Sequence, residues 1–303
     1  MKLDRRQFIG LVGAALMHPA LLQAQGSPDR PIHLLVPYAP GGPTDILARL
    51  IAPRMGELLG QTAVVDNVPG AGGNIGMAKG ARAAPDGQIL TVVAPNVVIN
   101  PLLYAHAGYD PAELMPVTVA VRSAVVVSVH PSMAATTLRD LVAQVKSQPG
   151  RHAYASPGIG TPPHLVAEQL RLSLGLDLVH APFSSAGQAV GAAVSNQVPI
   201  VFSSTPPAIA QVTAGRLRAL AVTGARRDMK LPDTPTMAEA GFDSVDGEGW
   251  FGFMVPKATP PERIAALYRA LVQCIDNPSI RERLAGLGFD PVMIPPEASV
   301  ALV

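Results

Sequence analysis

Short apolar segments alternate along this chain with segments whose apolar residues recur at helical spacing, and this alternation limits the fold more than any other feature. Residues 32–36 and 89–93 are typical of buried strands, whereas residues 46–59 and 162–174 carry an apolar helical face. Strands that alternate with helices form α/β folds, with mostly parallel sheets and helices on both faces. We therefore expect an α/β protein, and 303 residues suffice for two domains or one large one.

Two of the predicted helices begin directly after glycine-rich loops. Gly42 and Thr161 are expected N-caps, and each precedes a proline, which is favoured at the first helical position. Asp45 can bond back to the first cap, although its charge would compete with an anionic ligand. Such helix starts favour the binding of an anion by backbone N–H groups. The alternative is that both are simply well-capped helices, with His164 satisfied by the backbone or water.

The charge balance excludes a nucleic-acid-binding protein. The formal net charge is +1, but Lys2, Arg5 and Arg6 against Asp4 supply +2 of it. The rest of the chain therefore has no basic surplus with which to neutralise phosphates.

The spacing of reactive residues indicates neither a metal site nor a catalytic centre. The single cysteine, Cys274, excludes an intrachain disulfide, and its apolar helical setting is typical of a small buried hydrophobe. The histidines show no helical pairing, so we expect no metal and no other cofactor. The chain has no Gly-x-Ser-x-Gly motif, and Ile75 stands where a dinucleotide-binding motif has its third glycine. We expect a protein that is not an enzyme, with a hydrolase or dehydrogenase as a remaining alternative.

The first 26 residues have the layout of an export signal. A charged start with Arg5 and Arg6 precedes an apolar run that is too short to span a bilayer. The paired arginines resemble the twin-arginine export motif, and cleavage is expected near Ala24. We therefore expect the mature protein in the bacterial periplasm.

Six segments, in order along the chain, resemble those of one protein family. They are VPYAPGGPTD at residues 36–45, VDNVPGAGGNIG at 65–76, YASPGIGT at 154–161, GRLRALAVT at 215–223, LPDTPT at 231–236 and WFG at 250–252. Together they resemble the substrate-binding proteins of tripartite tricarboxylate transporters, the Bug (Bordetella uptake gene) family. The resemblance covers nearly all of the chain that follows the export signal.

The resemblance implies a type II periplasmic-binding-protein fold, in which two α/β domains close over a ligand cleft. Domain 1 would comprise residues 27–125 and 223–303, and domain 2 residues 126–222. The two crossings between the domains would fall near residues 125–129 and 219–223.

The resemblance also implies a function. The protein would capture a small carboxylate, hold it by backbone amides, hydroxyls and water, and deliver it as a monomer to the membrane permease subunits of a tripartite tricarboxylate-type transporter. An alternative is a ligand-sensing protein that signals to a membrane sensor. The residues that match the family's binding loops are Pro37, Tyr38, Gly41, Gly42, Gly72, Gly73, Asn74, Asn96, Ser156, Gly158, Gly160, Thr161, His164, Phe183, Ser184, Ser203 and Ser204.

The chain departs from the family pattern in two segments of the second domain. Phe183-Ser184-Ser185 replaces an expected Tyr-Lys-Gly, and residues 196–199 read Asn-Gln-Val-Pro in place of Gly-Gln-Val-Asp. Because a lysine and an acid are lost, an acidic amino acid or a citrate-like ligand does not follow from the resemblance. Tyr38 and Phe183 are either cleft walls or core residues, and Trp250 is expected in the core. The sequence stops at Val303, earlier than is usual in the family, so we expect some apolar surface of domain 1 to be exposed.

Overall fold

Two mixed β-sheets, each covered by helices, form the part of the chain that this computed structural model describes, residues 30–303. The expected export signal, residues 1–26, lies outside the described residues. The strands are β1 (Ile32–Val36), β2 (Ala63–Asn67), β3 (Ile89–Val93), β4 (Leu114–Ser123), β5 (Val125–Val129), β6 (His152–Ser156), β7 (Leu178–Pro182), β8 (Ile200–Ser204), β9 (Arg218–Val222), β10 (Gly249–Pro256) and β11 (Asp290–Ile294).

Helices follow most of these strands. They are α1 (Pro43–Leu59), α2 (Asn74–Ala81), α3 (Asn96–Leu103), α4 (Leu138–Ser147), α5 (Pro162–Leu174), α6 (Ala186–Val194), α7 (Thr205–Thr213), α8 (Pro261–Ile275), α9 (Pro278–Gly286) and α10 (Pro296–Leu302). Short 3-10 turns lie at Ala71–Gly73 and Pro111–Glu113.

The first sheet has the strand order β11-β4-β10-β3-β1-β2, and the second has the order β7-β6-β8-β5-β9. The expectation of mostly parallel sheets is wrong, because three of the five pairings in the first sheet and two of the four in the second are antiparallel. The antiparallel pairings all involve β4, β5 or β10, the strands next to the points where the chain leaves and re-enters the first sheet. A chain that leaves and returns through neighbouring strands must run through them in opposite directions.

The core of the first sheet lies between the strands and helices α1, α8 and α9. The buried face of α1 packs Leu47, Ile51 and Met55 into this core, and Gly60 ends the helix in the left-handed conformation. Cys274 is fully buried in the same core, which confirms the prediction of a small buried hydrophobe. Burial raises the pKa of its thiol to about 12, so the thiol stays protonated at neutral pH.

The chain passes from the first sheet to the second at Ala124, between β4 and β5. Here the Val125 N–H donates to Thr223 Oγ1 (2.8 Å), and the Thr223 N–H donates to the Val125 carbonyl (2.9 Å). Residues 125–129, expected as a crossing, are β5 of the second sheet, and residues 219–223, expected as the other, overlap β9 from its second residue onward. The outgoing crossing therefore precedes the first of these segments, because β5 already pairs with β8 from Val125 onward.

The segment after Thr223 packs on the second sheet, although it was expected in domain 1. Thr236 bridges Val222, and Met237 and Val245 join the apolar core beneath the second sheet. We propose on this packing that the second domain extends to residue 245 and that the chain returns at residues 246–248, just before β10.

Candidate ligand-binding cleft

Two adjacent spaces lie between the sheets, and together they form the candidate cleft; we call them the inner and the outer chamber. The inner chamber has a volume of about 30 Å³ and is lined by Tyr38, Gly42, Pro43, Thr44, Ala94, Pro157, Thr161, Pro162, Pro163, Ala186, Ser204 and Phe251. The outer chamber has a volume of about 250 Å³ and is lined by Tyr38, Gly70, Ala71, Gly72, Gly73, Tyr104, Pro157, Gly158, Ile159, Pro182, Phe183 and Ser184. Tyr38 and Pro157 line both chambers, so the two chambers are neighbours.

Four helices point their N-termini at the inner chamber. Helices α1, α5 and α7 begin after Gly42, Thr161 and Ser204, and α6 begins at Ala186; each of these residues lines the chamber. Within the described chain, no side chain caps α1, α5 or α7. In α1 and α5 the prolines of the first turn carry no N–H, and the N–H groups of Thr44, Asp45 and His164 have no acceptor within their own helix. In α7 the Thr205 N–H already donates to the Ala124 carbonyl (3.0 Å) and two prolines follow, so this helix contributes its dipole and no free first-turn N–H. The helix dipoles favour a negative group in the chamber.

The Thr44 hydroxyl adds a polar group to this chamber. Thr44 is the second residue of α1 and is only 2% exposed. Among the residues that the structure describes, its Oγ1 has no hydrogen-bond partner. A buried polar atom normally has one, so this hydroxyl is placed to contact a bound molecule. Sequence reasoning missed Thr44, although its position just after Gly-Gly-Pro was a signal for it.

Asp45 does not bond back to the cap residue Gly42, as the sequence predicted, but to the residue before it. Its carboxylate accepts from the Gly41 N–H (2.9 Å), one residue before the cap, and from Arg49 (2.9 Å) and Asn67 (3.0 Å). Although burial opposes it, these hydrogen bonds lower the pKa of Asp45. The charge that was expected to compete with an anion is therefore neutralised by Arg49.

Buried asparagines hold the second glycine loop in place. Asn96 Nδ2 (2.9 Å) and Asn100 Nδ2 (3.0 Å) both donate to the carbonyl of Gly72, whose φ is +64°. Asn100 also donates to Asn74 Oδ1 (2.6 Å). These asparagines therefore position the backbone of the loop. Asn100 was not identified from the sequence.

A serine and two histidines lie under the third loop. Ser156 Oγ is 2.7 Å from His180 Nε2 and accepts from the Gly158 N–H (3.2 Å). The Gly160 N–H donates to His164 Nδ1 (3.4 Å), and the two imidazole rings are 4.5 Å apart. Burial lowers the pKa of both histidines, and together with the neighbouring His164 it lowers the pKa of His180 to about 4. Both rings are therefore neutral at pH 7.

The structure separates the sequence-predicted site residues into two groups. The residues that line a chamber are Tyr38, Gly42, Gly72, Gly73, Gly158, Thr161, Phe183, Ser184 and Ser204. The residues that line neither chamber are Pro37, Gly41, Asn74, Asn96, Ser156, Gly160, His164 and Ser203. Tyr38 and Phe183 also contact the apolar cores, and Trp250 packs beside a small cluster that contains Met77.

No helix within residues 30–303 is long and apolar enough to cross a membrane. The same part of the chain contains no group of three or more His, Cys, Asp or Glu residues that could hold a metal ion.

Comparison with known protein families identifies the family of this chain. The family described as "Tripartite tricarboxylate transporter family receptor" matches residues 47–300. The chain belongs to this family. It is 33% identical to protein BugT of Bordetella pertussis over 293 residues, which is 96% of this chain and 89% of BugT.

Solved structures of family receptors share the fold. Periplasmic binding protein BugD superposes with a TM-score of 0.87 at 33% identity, over 91% of this chain and 93% of BugD. The R. palustris protein Rpa4515, solved with adipate, superposes with a TM-score of 0.88 at 31% identity, over 91% and 93% of the two chains. The expected two-domain α/β fold of a periplasmic binding protein is thereby confirmed.

Proposed function

We propose that this protein captures a small organic acid in the periplasm and delivers it to the permease subunits of a tripartite tricarboxylate-type transporter. The observation that carries this proposal is the convergence of four helix N-termini on one inner chamber. Uncapped N–H groups and aligned helix dipoles stabilise a carboxylate without a lysine or arginine. The adipate bound to the related Rpa4515 supports the same ligand class.

We also propose that the protein binds its ligand without altering it and acts as a monomer. Ser156 Oγ and His180 Nε2, 2.7 Å apart near the cleft, form a pair of the kind that serves catalysis in some enzymes. Ser156 is completely buried, so a substrate has no access to its hydroxyl in this conformation. The pair instead supports the loop above it.

A thermal-unfolding screen with matched acids and amides tests the proposal. The panel contains adipate, succinate, malate, citrate, glutamate, benzoate and nicotinate, with adipamide and benzamide as uncharged controls. A ligand at about 100 times its Kd stabilises the folded state by about 2.7 kcal/mol, which raises Tm by several degrees. We expect at least one acid to raise Tm while its amide does not. Failure of every acid, or an equal effect of an acid and its amide, would contradict a carboxylate receptor.

A further inference from the structure

We infer that a groove beside helix α2, outside the candidate cleft, docks an acidic amphipathic helix of a partner protein. The groove has a volume of about 700 Å³ and is lined mainly by α2 and residues 106–108. It adjoins the cleft, since Ala71 lines both the groove and the outer chamber. The inference goes beyond the proposed function, because it concerns a separate surface of the molecule.

The floor of the groove is apolar. Its apolar lining residues are Ala71, Ile75, Ala78, Ala83, Ile89 and Ala107. Ile75 keeps 55% of its surface exposed, although isoleucine is among the residues most often buried. The alanines carry only a methyl group, so a second helix can approach α2 closely at this face.

The polar side chains of the groove can all donate a hydrogen bond, and none is acidic. Lys79 is exposed and forms no ion pair with any residue that the structure describes. Arg82 donates to the Gly108 carbonyl (2.7 Å) and likewise has no acidic partner in the described chain. Buried Asn74 adds an Nδ2 donor that has no partner within residues 30–303. Carboxylates are the acceptors that such a set of donors favours.

Two acidic residues flank the groove segments in the sequence, and both are engaged elsewhere. Asp86 is 3.2 Å from Arg30 Nη2 and accepts from the Gln88 N–H. Asp110 accepts from the Ala112 N–H and caps a short 3-10 turn. The cations of the groove are therefore left for an acid from outside the described chain.

The spacing of the groove residues fits a helix as the occupant. Ile75, Lys79 and Arg82 are four and three residues apart, so they lie along one face of α2 over about 10 Å. A helix packed along α2 presents an apolar residue and two acids over the same distance when they too are four and seven residues apart. A helix is also convex and fills a groove, whereas a flat lipid surface would touch only its rim.

The charge of the chain's own first 29 residues makes them a poorer occupant. They contain Lys2, Arg5 and Arg6 against Asp4 and Asp29, so they are net positive like the groove. Because like charges repel each other, the acidic helix is assigned to another protein.

An NMR titration of the ¹⁵N-labelled mature protein with two designed peptides tests the inference. Both are alanine-based helices with one leucine. The first has glutamate four and seven residues from the leucine on each side, and the second has lysine at those positions. We expect the glutamate peptide to shift the signals of α2 and residues 106–108 and to bind at least about fivefold more tightly than the lysine peptide. This preference should weaken as the salt concentration rises.

A charge-reversing variant makes the test specific to the groove. Lys79→Glu should reduce the preference for the glutamate peptide about fivefold, because it replaces an attractive pair by a repulsive one. Lys146→Glu is the matched control. Lys146 is also an exposed lysine in the last turn of a helix, but it does not line the groove, so the preference should be unchanged.

A second pair of variants tests the apolar part of the groove. Ile75→Ser should weaken the binding of the glutamate peptide about threefold, because the leucine of the peptide loses its apolar contact. Leu172→Ser removes an exposed leucine of α5 that does not line the groove, and it should bind the peptide like the wild type.

Several outcomes would overturn the inference. They are equal binding of the two peptides, failure of the glutamate peptide to bind, and signal shifts at Gly42 and Ser204 of the cleft in place of α2. Sedimentation of the protein with phosphatidylglycerol vesicles but not with phosphatidylcholine vesicles, without binding of the glutamate peptide, would assign the groove to a membrane surface. None of these results bears on the carboxylate receptor, which the thermal-unfolding screen tests separately.

Discussion

At the scale of single residues, the proposed carboxylate site in the inner chamber presents hydroxyl groups and backbone amides where many anion sites present lysine or arginine. Thr44 is its clearest example, because its Oγ1 is buried in the chamber wall and has no partner elsewhere in the described chain. A hydroxyl donates to an oxygen without bringing a charge that must be desolvated when the site is empty.

Replacement of this hydroxyl by a methyl group is therefore expected to weaken binding. Thr44→Val should raise the Kd of the bound acid about five- to tenfold, the effect of losing one hydrogen bond of about 1 kcal/mol. Titration calorimetry measures this change. Thr259→Val is the control, since the Thr259 hydroxyl is also buried without a partner but lies away from the cleft, and its Kd should match the wild type. An unchanged Kd in Thr44→Val would remove this hydroxyl from the site.

His180 makes the stability of the protein depend on pH. Burial and the neighbouring His164 lower its pKa from the ordinary 6.5 to about 4. Between these values the unfolded chain binds a proton that the folded chain excludes, so stability falls as the pH falls from 6.5 to 4. The loss is on the order of 2 kcal/mol, because the ring is only half-buried.

Denaturant titrations at several pH values measure this loss. His180→Gln keeps a hydrogen-bonding side chain but does not titrate, and its stability should vary less with pH in this window. His106→Gln changes an exposed histidine and should behave like the wild type. The same pH dependence in His180→Gln and in the wild type would contradict the assignment to His180.

Local sequence patterns predicted the loops of the site better than the residues that hold those loops. Gly42 and Thr161 were identified because a helix start is encoded by adjacent residues. Ser156 and His180 are 24 positions apart, and their pairing depends on the parallel register of β6 and β7. Asn100 was missed for the same reason, since its contact with Gly72 spans 28 positions.

At the scale of secondary-structure elements, helix starts were predicted most accurately. The predicted starts at Pro43 and Pro162 agree with the structure, because proline at the first helical position is a strong local signal. Helix α3 was missed because it contains Pro101, and β11 was missed because it contains Pro291 and a bulge. These elements form because packing outweighs their weak intrinsic propensity.

The junction between β5 and the segment after β9 gives a prediction at this scale. Thr223 is fully buried, and its Oγ1 accepts from the Val125 N–H. Thr223→Val leaves that N–H without its acceptor and should lower the free energy of unfolding by about 1–3 kcal/mol. Urea denaturation measures the loss. Thr223→Ser keeps the hydroxyl and should lose much less, and equal losses in both variants would assign the effect to the methyl group.

At the scale of the whole molecule, loops from the two sheets contact each other beside the cleft. The Ala39 N–H donates to the Ser184 carbonyl (3.2 Å), and Ser185 Oγ donates to the Pro40 carbonyl (3.2 Å). Gly187 packs directly against the backbone of Gly41. These contacts join elements of the two sheets, so they form only when the sheets approach.

A methyl group at Gly187 should hinder this approach without harming the fold. In Gly187→Ala, the added carbon would lie 2.7 Å from the Gly41 carbonyl oxygen. The substitution favours helix α6 by about 0.5–1 kcal/mol but should weaken ligand binding about tenfold. Small-angle X-ray scattering should also show that the ligand no longer compacts the molecule.

Gly191→Ala supplies the control for this experiment. It changes the same helix at a position where nothing lies within 4 Å of the added carbon. Its ligand affinity and compaction should match the wild type. If Gly187→Ala binds and compacts normally, the contact between Gly41 and Gly187 has no part in closure.

The second sheet is built from one uninterrupted stretch of chain, from β5 to β9. The two ends of that stretch meet where Val125 bonds to Thr223, next to the paired strands β4 and β10 of the first sheet. One wall of the cleft is therefore encoded by a single continuous segment of the gene. A single recombination event between homologous genes, with breakpoints at the codons for Ala124 and Glu248, exchanges that wall and keeps the other. New ligand preferences can thus arise in this lineage by shuffling half of a site, without the slow accumulation of point mutations.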